Sequence, residues 1–150
     1  MRTYLVVMDE SREAQAALRF AARRAARTGG AVEILAVVEQ QEFVQWGGVQ
    51  AAIEEEARLR AEAAVAAAAG TIVEEAGLRP SVTVKQGDPV KAVTERLKDG
   101  DPVAALVLGA ASEGAPGPLI SHFTAGSAAL TCPLMIVPGH LDEETLDRLT

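Results

Sequence analysis

Short apolar runs, spaced far enough apart to admit a helix between them, constrain this chain more than any other feature. Tyr4–Met8 (YLVVM), Val32–Val38 (VEILAVV), Val103–Leu108 (VAALVL) and Leu134–Val137 (LMIV) are nearly or wholly without charge. Runs of that length predict strands buried on both faces of a parallel sheet. Ser81–Lys85 (SVTVK) is a fifth run, polar enough for an edge. Helical spacing fills the gaps between these runs. A strict alternation of strand and helix predicts an α/β fold, with a five-stranded parallel sheet, helices on both faces and right-handed crossovers.

The helices announce their ends. Ser11 is placed to cap the first, Glu13 favours its dipole, and Ala14, Ala17, Leu18, Ala21 and Ala25 recur at helical spacing to about Thr28. Gly29-Gly30 stops it, and Arg23, Arg24 and Arg27 read as a solvated helix end. Ala51–Ala76 is a long second helix, with Ile53, Ala57, Arg60, Ala64, Ala68, Ile72 and Ala76 on one face and Val65 and Val73 widening it. Its acidic run Glu54-Glu55-Glu56 reads as a solvated start. Asp88 caps a third helix that has Pro89 at its first position and Val90, Val93 and Leu97 on its buried face. Leu119, Phe123, Gly126 and Leu130 predict a fourth helix from Pro118 to Thr131, with Gly126 inside it at a close packing contact. Residues 39–50 lack clean periodicity; Phe43 and Trp46 there read as packing on the second helix or as part of a lid.

At 150 residues the chain makes one ordinary domain. We place the domain body at residues 1–140 and a short tail at 141–150, one or two helical turns capped by Asp142, within the same domain. A formal charge of −7 argues against nucleic acid or an anionic membrane as the main partner. No run approaches the roughly 20 apolar residues that span a bilayer. Cys132 is the sole cysteine, which leaves neither an intramolecular disulfide nor a cysteine-based metal cluster. A cytoplasmic protein is the expectation. Before Pro133, that thiol reads as a packed small residue.

Two features suggest where chemistry would sit. Asp9 ends the first strand, where open α/β sheets place ligand groups. After the fourth strand, Gly109 reads as the strand end, and Gly114 and Gly117 follow in a loop that leads into Pro118. Glycines before a helix N-terminus let backbone amides approach an anion, so a phosphate cradle and a bare connector are both open readings.

These elements resemble the universal stress protein family over almost the whole chain. The residues that carry the resemblance are LVVMDES with Asp9, ILAVVE, KQGDPVKAV, LVLGAASEG and CPLMIV, in that order. The resemblance implies an adenine-nucleotide-binding fold, Rossmann-like in the adenine nucleotide alpha hydrolase manner, with strand order 3-2-1-4-5. It also implies a homodimer through antiparallel pairing of the last strands, here Leu134, Met135, Ile136 and Val137. Asp9 would contact the adenosine part and Val37 would line the adenine pocket. Gly109, Gly114 and Gly117 would admit phosphates to the backbone, with the Ser121 hydroxyl as a donor.

The sequence departs from the family's glycine pattern, in which two glycines separated by two residues are followed, after nine intervening residues, by Gly-Ser or Gly-Thr. With Gly114 and Gly117 as the first pair, Gly126-Ser127 comes one residue early and falls within the proposed helix. Anchoring on Cys132-Pro133 instead puts Gly109 and Ser112 at the paired positions and Ile120-Ser121 at the last. We favour the second placement. Met8 stands where many members have proline.

No enzyme emerges from the side chains. His122 and His140 have no nucleophile at a recognisable spacing, and the glycine loop has no lysine of the Walker type. At most a very slow ATPase is expected, with Mg²⁺ needed only by a triphosphate and Asp9 or Glu113 as candidate water- or metal-positioning groups. The favoured expectation is a regulatory dimer that binds ATP or a related adenine nucleotide at the ends of strands 1 and 4. The alternative is a dimeric stress or interaction scaffold whose diverged loop holds no nucleotide.

Overall fold

The computed structural model describes residues 1–39 and 47–150. The strands are β1 (Thr3–Met8), β2 (Ala31–Val38), β3 (Ser81–Gln86), β4 (Ala105–Ala110) and β5 (Leu134–Pro138). The helices are α1 (Arg12–Thr28), α2 (Gly47–Ala76), α3 (Pro89–Asp99), α4 (Pro118–Ala125) and α5 (Glu143–Leu149). All five strands are parallel in the order β3-β2-β1-β4-β5. This is the α/β sheet expected, with polar β3 at one edge and β5 at the other.

Alternation along β1 divides the core in two. Tyr4, Val6 and Met8 face α1, α2 and α5, where Ala17, Ala21, Leu18, Val65, Ile72 and Leu146 cover them. Leu5 and Val7 face α3 and α4, beneath Val93, Ile120 and Phe123. On this second face Arg96 of α3 reaches back to Glu33 of β2, with Nε–Oε2 and Nη2–Oε1 bonds of 2.6 and 2.9 Å. The carboxylate bonded to it holds the Arg96 guanidinium above its ordinary pKa, against the opposing effect of burial.

Several sequence expectations change. Gly109 does not end β4; it lies inside the ladder, opposite Val137, and the strand runs on to Ala110. Its missing side chain serves packing, because a Cβ there would collide with the Glu13 carbonyl of α1. Val103 precedes the strand and is half-buried. The fourth helix stops at Ala125 rather than Thr131. Gly126 caps it, donating its N–H to the His122 carbonyl at 3.0 Å, and a 3₁₀ turn follows over Ser127–Ala129. A Cβ on Gly126 would meet the His122 carbonyl of the same helix at 3.4 Å and no other element within 4 Å, so the expected packing contact is absent there and glycine's weak helix propensity favours the stop.

The second helix begins earlier than expected, at Gly47, because extending an existing helix costs far less than starting one. On its sheet-facing side Val65 and Ile72 are buried, whereas Val73 and Arg60 are exposed. The reading of Phe43 and Trp46 lies outside the described residues.

The arginines near the end of α1 are not a freely solvated end. Arg23 donates to the Glu143 carbonyl at 2.8 Å and Arg24 to the Thr150 carbonyl at 3.4 Å. Arg27 reaches both the carbonyl and Oδ1 of Asp147, each at 2.8 Å. They hold down α5, whose start Asp142 caps through Thr145 and whose Leu146 is buried in the core. Tertiary partners more than a hundred residues away are invisible to a helical wheel.

Candidate functional site

At the carboxyl ends of β1 and β4 the crossovers leave the sheet in opposite directions, and the chain cannot fill the gap between them. A crevice of about 370 Å³ opens there. Val7, Met8, Val37 and Leu108 form its sheet side, Glu13 and Ala14 come from α1, and Pro89 comes from α3. Pro116 to Ile120 close the far side, and Asp9, Ser11 and Glu39 stand at the rim.

Local chemistry fixes this geometry. Asp9 accepts the Ser11 amide on Oδ1 at 2.8 Å, and the Ser11 hydroxyl accepts the Ala14 amide at 3.2 Å, so the β1–α1 turn is tied at both steps. The first turn of α1 is then wedged against the sheet. Gly109 leaves room for the Glu13 carbonyl, and a Cβ on Gly139 would lie 2.7 Å from that of Glu13. Those contacts pin the Glu13 backbone at the crevice wall.

On the opposite wall Gly117 caps α4 without a side chain, at φ 97°, a left-handed conformation that favours glycine. Pro118 lacks an N–H, and the Ser121 amide already donates to the Gly117 carbonyl at 3.1 Å. Among the described residues the Leu119 and Ile120 amides have no backbone acceptor. These two are the donors that α4 presents at its start.

Of the residues singled out by sequence, Asp9, Val37, Gly109 and Gly117 come together around this crevice. Gly114 sits in an exposed stretch at φ 81° and Ser121 is exposed on α4; neither borders the cavity. Glu13 and Glu39 do border it and were not anticipated as site residues. Their signal was available: each follows closely on the carboxyl end of a central strand. Beneath α4, burial pushes the Cys132 thiol above its ordinary pKa, which suits packing rather than reactivity. Among the described residues no cluster of three metal-ligating side chains occurs, and no helix is long and apolar enough to cross a membrane.

Comparison with known proteins gives this arrangement a context. The fold matches the universal stress protein UspA from Lactobacillus plantarum at 18% identity and a TM-score of 0.77, over 91% of this chain and 97% of that one. A universal stress protein family protein from Arabidopsis thaliana, solved with AMP bound, matches at 17% identity and 0.58, covering 92% of each chain. The universal stress protein from Archaeoglobus fulgidus in complex with dAMP matches at 16% and 0.52, over 91% and 97%. No curated protein sequence matches. At such identities the structures speak to the fold alone. The sequence model of the universal stress protein family matches residues 1–138, from the first strand to the end of the last, and the chain belongs to that family.

Proposed function

We propose that this protein is a regulatory dimer that binds ATP or a related adenine nucleotide in the crevice beside Asp9. The observation that carries this reading is the crevice itself: a half-apolar cavity at the switch point of the sheet, with two unpaired helix amides on one wall and a tied aspartate on the other. Val37 and Leu108 offer an apolar seat of the kind a purine ring needs. Relatives of the same fold hold AMP or dAMP, which supports an adenine ligand here as well. Where the ligand is a triphosphate, Mg²⁺ would be bound with it, because the rim supplies carboxylates. The protein acts by occupancy rather than by chemistry, as a binding protein with at most slow hydrolysis.

The test is calorimetric titration with AMP and with Mg²⁺-loaded ATP. Binding to the wild type, weakened at least about tenfold in Val37→Trp, supports the reading, since the larger side chain fills the seat. No heat from either ligand at millimolar concentration overturns it. That result would favour the second reading, a scaffold without nucleotide, for which one observation speaks: no basic side chain borders the crevice among the described residues.

The dimer rests on β5. Among the described residues no strand lies beside its outer edge, its sequence LMIV carries no charge, and Ile136 is 42% exposed. An uncharged apolar edge is what a second copy would pair with and cover. Sedimentation should show a dimer at micromolar concentration and a monomer for Ile136→Lys; a monomeric wild type would remove this half of the proposal.

A further inference from the structure

We infer that the crevice selects against phosphate charge: unaided by a divalent cation, it takes an uncharged adenine nucleoside in preference to a nucleotide. The inference rests on the nucleotide reading above and narrows it. Its basis is the charge of the whole ligand end of the sheet. Asp9, Glu13 and Glu39 border the cavity, and no lysine, arginine or histidine does so among the described residues. The stretches of sequence that follow β1, β2, β3 and β4 read DES, EQQEFVQW, GD and ASEGAPG, and none contains a basic residue. Asp9 and Glu39, on the connections after β1 and β2, stand at the rim itself, and none of the four stretches carries a cation in its sequence to offset an incoming phosphate.

Among the described residues bordering the cavity, helix termini are the only positive features; Arg60 of α2 lines an adjoining hollow with Asp9 and Glu39 rather than this one. The starts of α1, α3 and α4 border the crevice and each contribute about half a positive charge, that of α3 already answered by the Asp88 carboxylate that caps it. Together they amount to at most about one and a half charges against the three carboxylates that border the cavity, so the balance at the rim is negative. Pro118 weakens the α4 contribution further by removing one amide, and the Ser11 hydroxyl already accepts the Ala14 amide of α1. Two of these carboxylates spring from fixed points at the crevice. The Glu13 backbone is pinned between Gly109 and Gly139, and Asp9 Oδ1 is engaged by the Ser11 amide. A monophosphate brings about two negative charges into this field. By contrast, the leading amides of α4 serve a ribose hydroxyl or other neutral acceptor equally well.

The test is titration of the full-length protein with adenosine, AMP and ATP in EDTA, at low and high sodium chloride. Adenosine should bind tightest, AMP about tenfold weaker and ATP weaker still, since each added charge meets the same carboxylates. Salt should tighten AMP binding and leave adenosine unchanged, the reverse of an ordinary phosphate site, because screening relieves repulsion. In the triple variant Asp9→Asn, Glu13→Gln, Glu39→Gln, which keeps side-chain shape, the gap between adenosine and AMP should shrink to about threefold or less. AMP or ATP binding as tightly as adenosine in EDTA, or AMP binding that weakens with salt, overturns the charge selection and leaves the nucleotide reading standing. Silence from adenosine, AMP and Mg²⁺-loaded ATP alike overturns both.

Discussion

The two faces of the sheet are built on different rules. On the α1 face the covering residues are mostly alanines, and backbone meets backbone: Ala17, Ala21 and Ala25 are fully buried, and Gly109 has no space for a Cβ under the Glu13 carbonyl. On the α4 face large side chains do the filling, with Leu106, Val93, Ile120 and Phe123 between sheet and helices. Close backbone packing fixes position because no side chain can rotate out of the way. Packing through long side chains leaves room for adjustment by rotamer changes. The crevice lies where these faces meet, so one wall is rigid and the other, which carries Gly117 and the start of α4, is adjustable.

Substitutions on each face put that contrast to the test. Phe123→Ala should cost about 3–5 kcal/mol in urea unfolding, as expected for a large buried side chain. Gly109→Ala should cost about 2–3 kcal/mol although it adds only one methyl group, because the obstruction is main chain. A loss below about 1 kcal/mol at Gly109 would mean that α1 can back away, and the contrast between the faces would disappear. Arg96→Ala, which strands the half-buried Glu33 carboxylate on the adjustable face, should cost about 2 kcal/mol. Gly70→Ala lies away from both cores, with nothing within 4 Å of the added methyl, and should stabilise by about 0.5–1 kcal/mol.

The smallest effect concerns pH. Asp142 is held below its ordinary pKa by the hydrogen bonds from Thr145, and Arg148 reinforces this. A depressed folded-state value means the cap contributes fully above the unfolded aspartate value of about 3.9 and is lost as pH falls through the lower folded one. Amide exchange at Leu146 and Thr150 should therefore quicken at acid pH before the rest of the molecule responds. Exchange that is unchanged down to the global transition would remove Asp142 from this role.

What could be read from the sequence was local. Ser11, Asp88 and Asp142 cap the helices they were expected to cap, because a cap depends on residues three positions away. The strand runs were recognisable because burial on both faces leaves an unbroken apolar signature. Features that depend on distant partners were not legible. Gly109 looks like a strand end until α1 is seen pressing on it, and Arg23 and Arg27 look solvated until α5 arrives over them. The same holds for Arg96, whose partner Glu33 is 63 residues away. At the site, Asp9 followed from the end of its strand and Val37 from the family resemblance, while the roles of Gly114 and Ser121 came from a family pattern this chain does not keep.

The bare start of α4 has one more consequence. With glycine at the capping position and proline next, this eight-residue helix lacks a stop for its two leading amides and would fray at that end. Any occupant of the crevice that offers an oxygen there would finish the helix. Occupancy would then register as local ordering, with slowed deuterium uptake at Leu119 and Ile120 while the α1 wall stays silent.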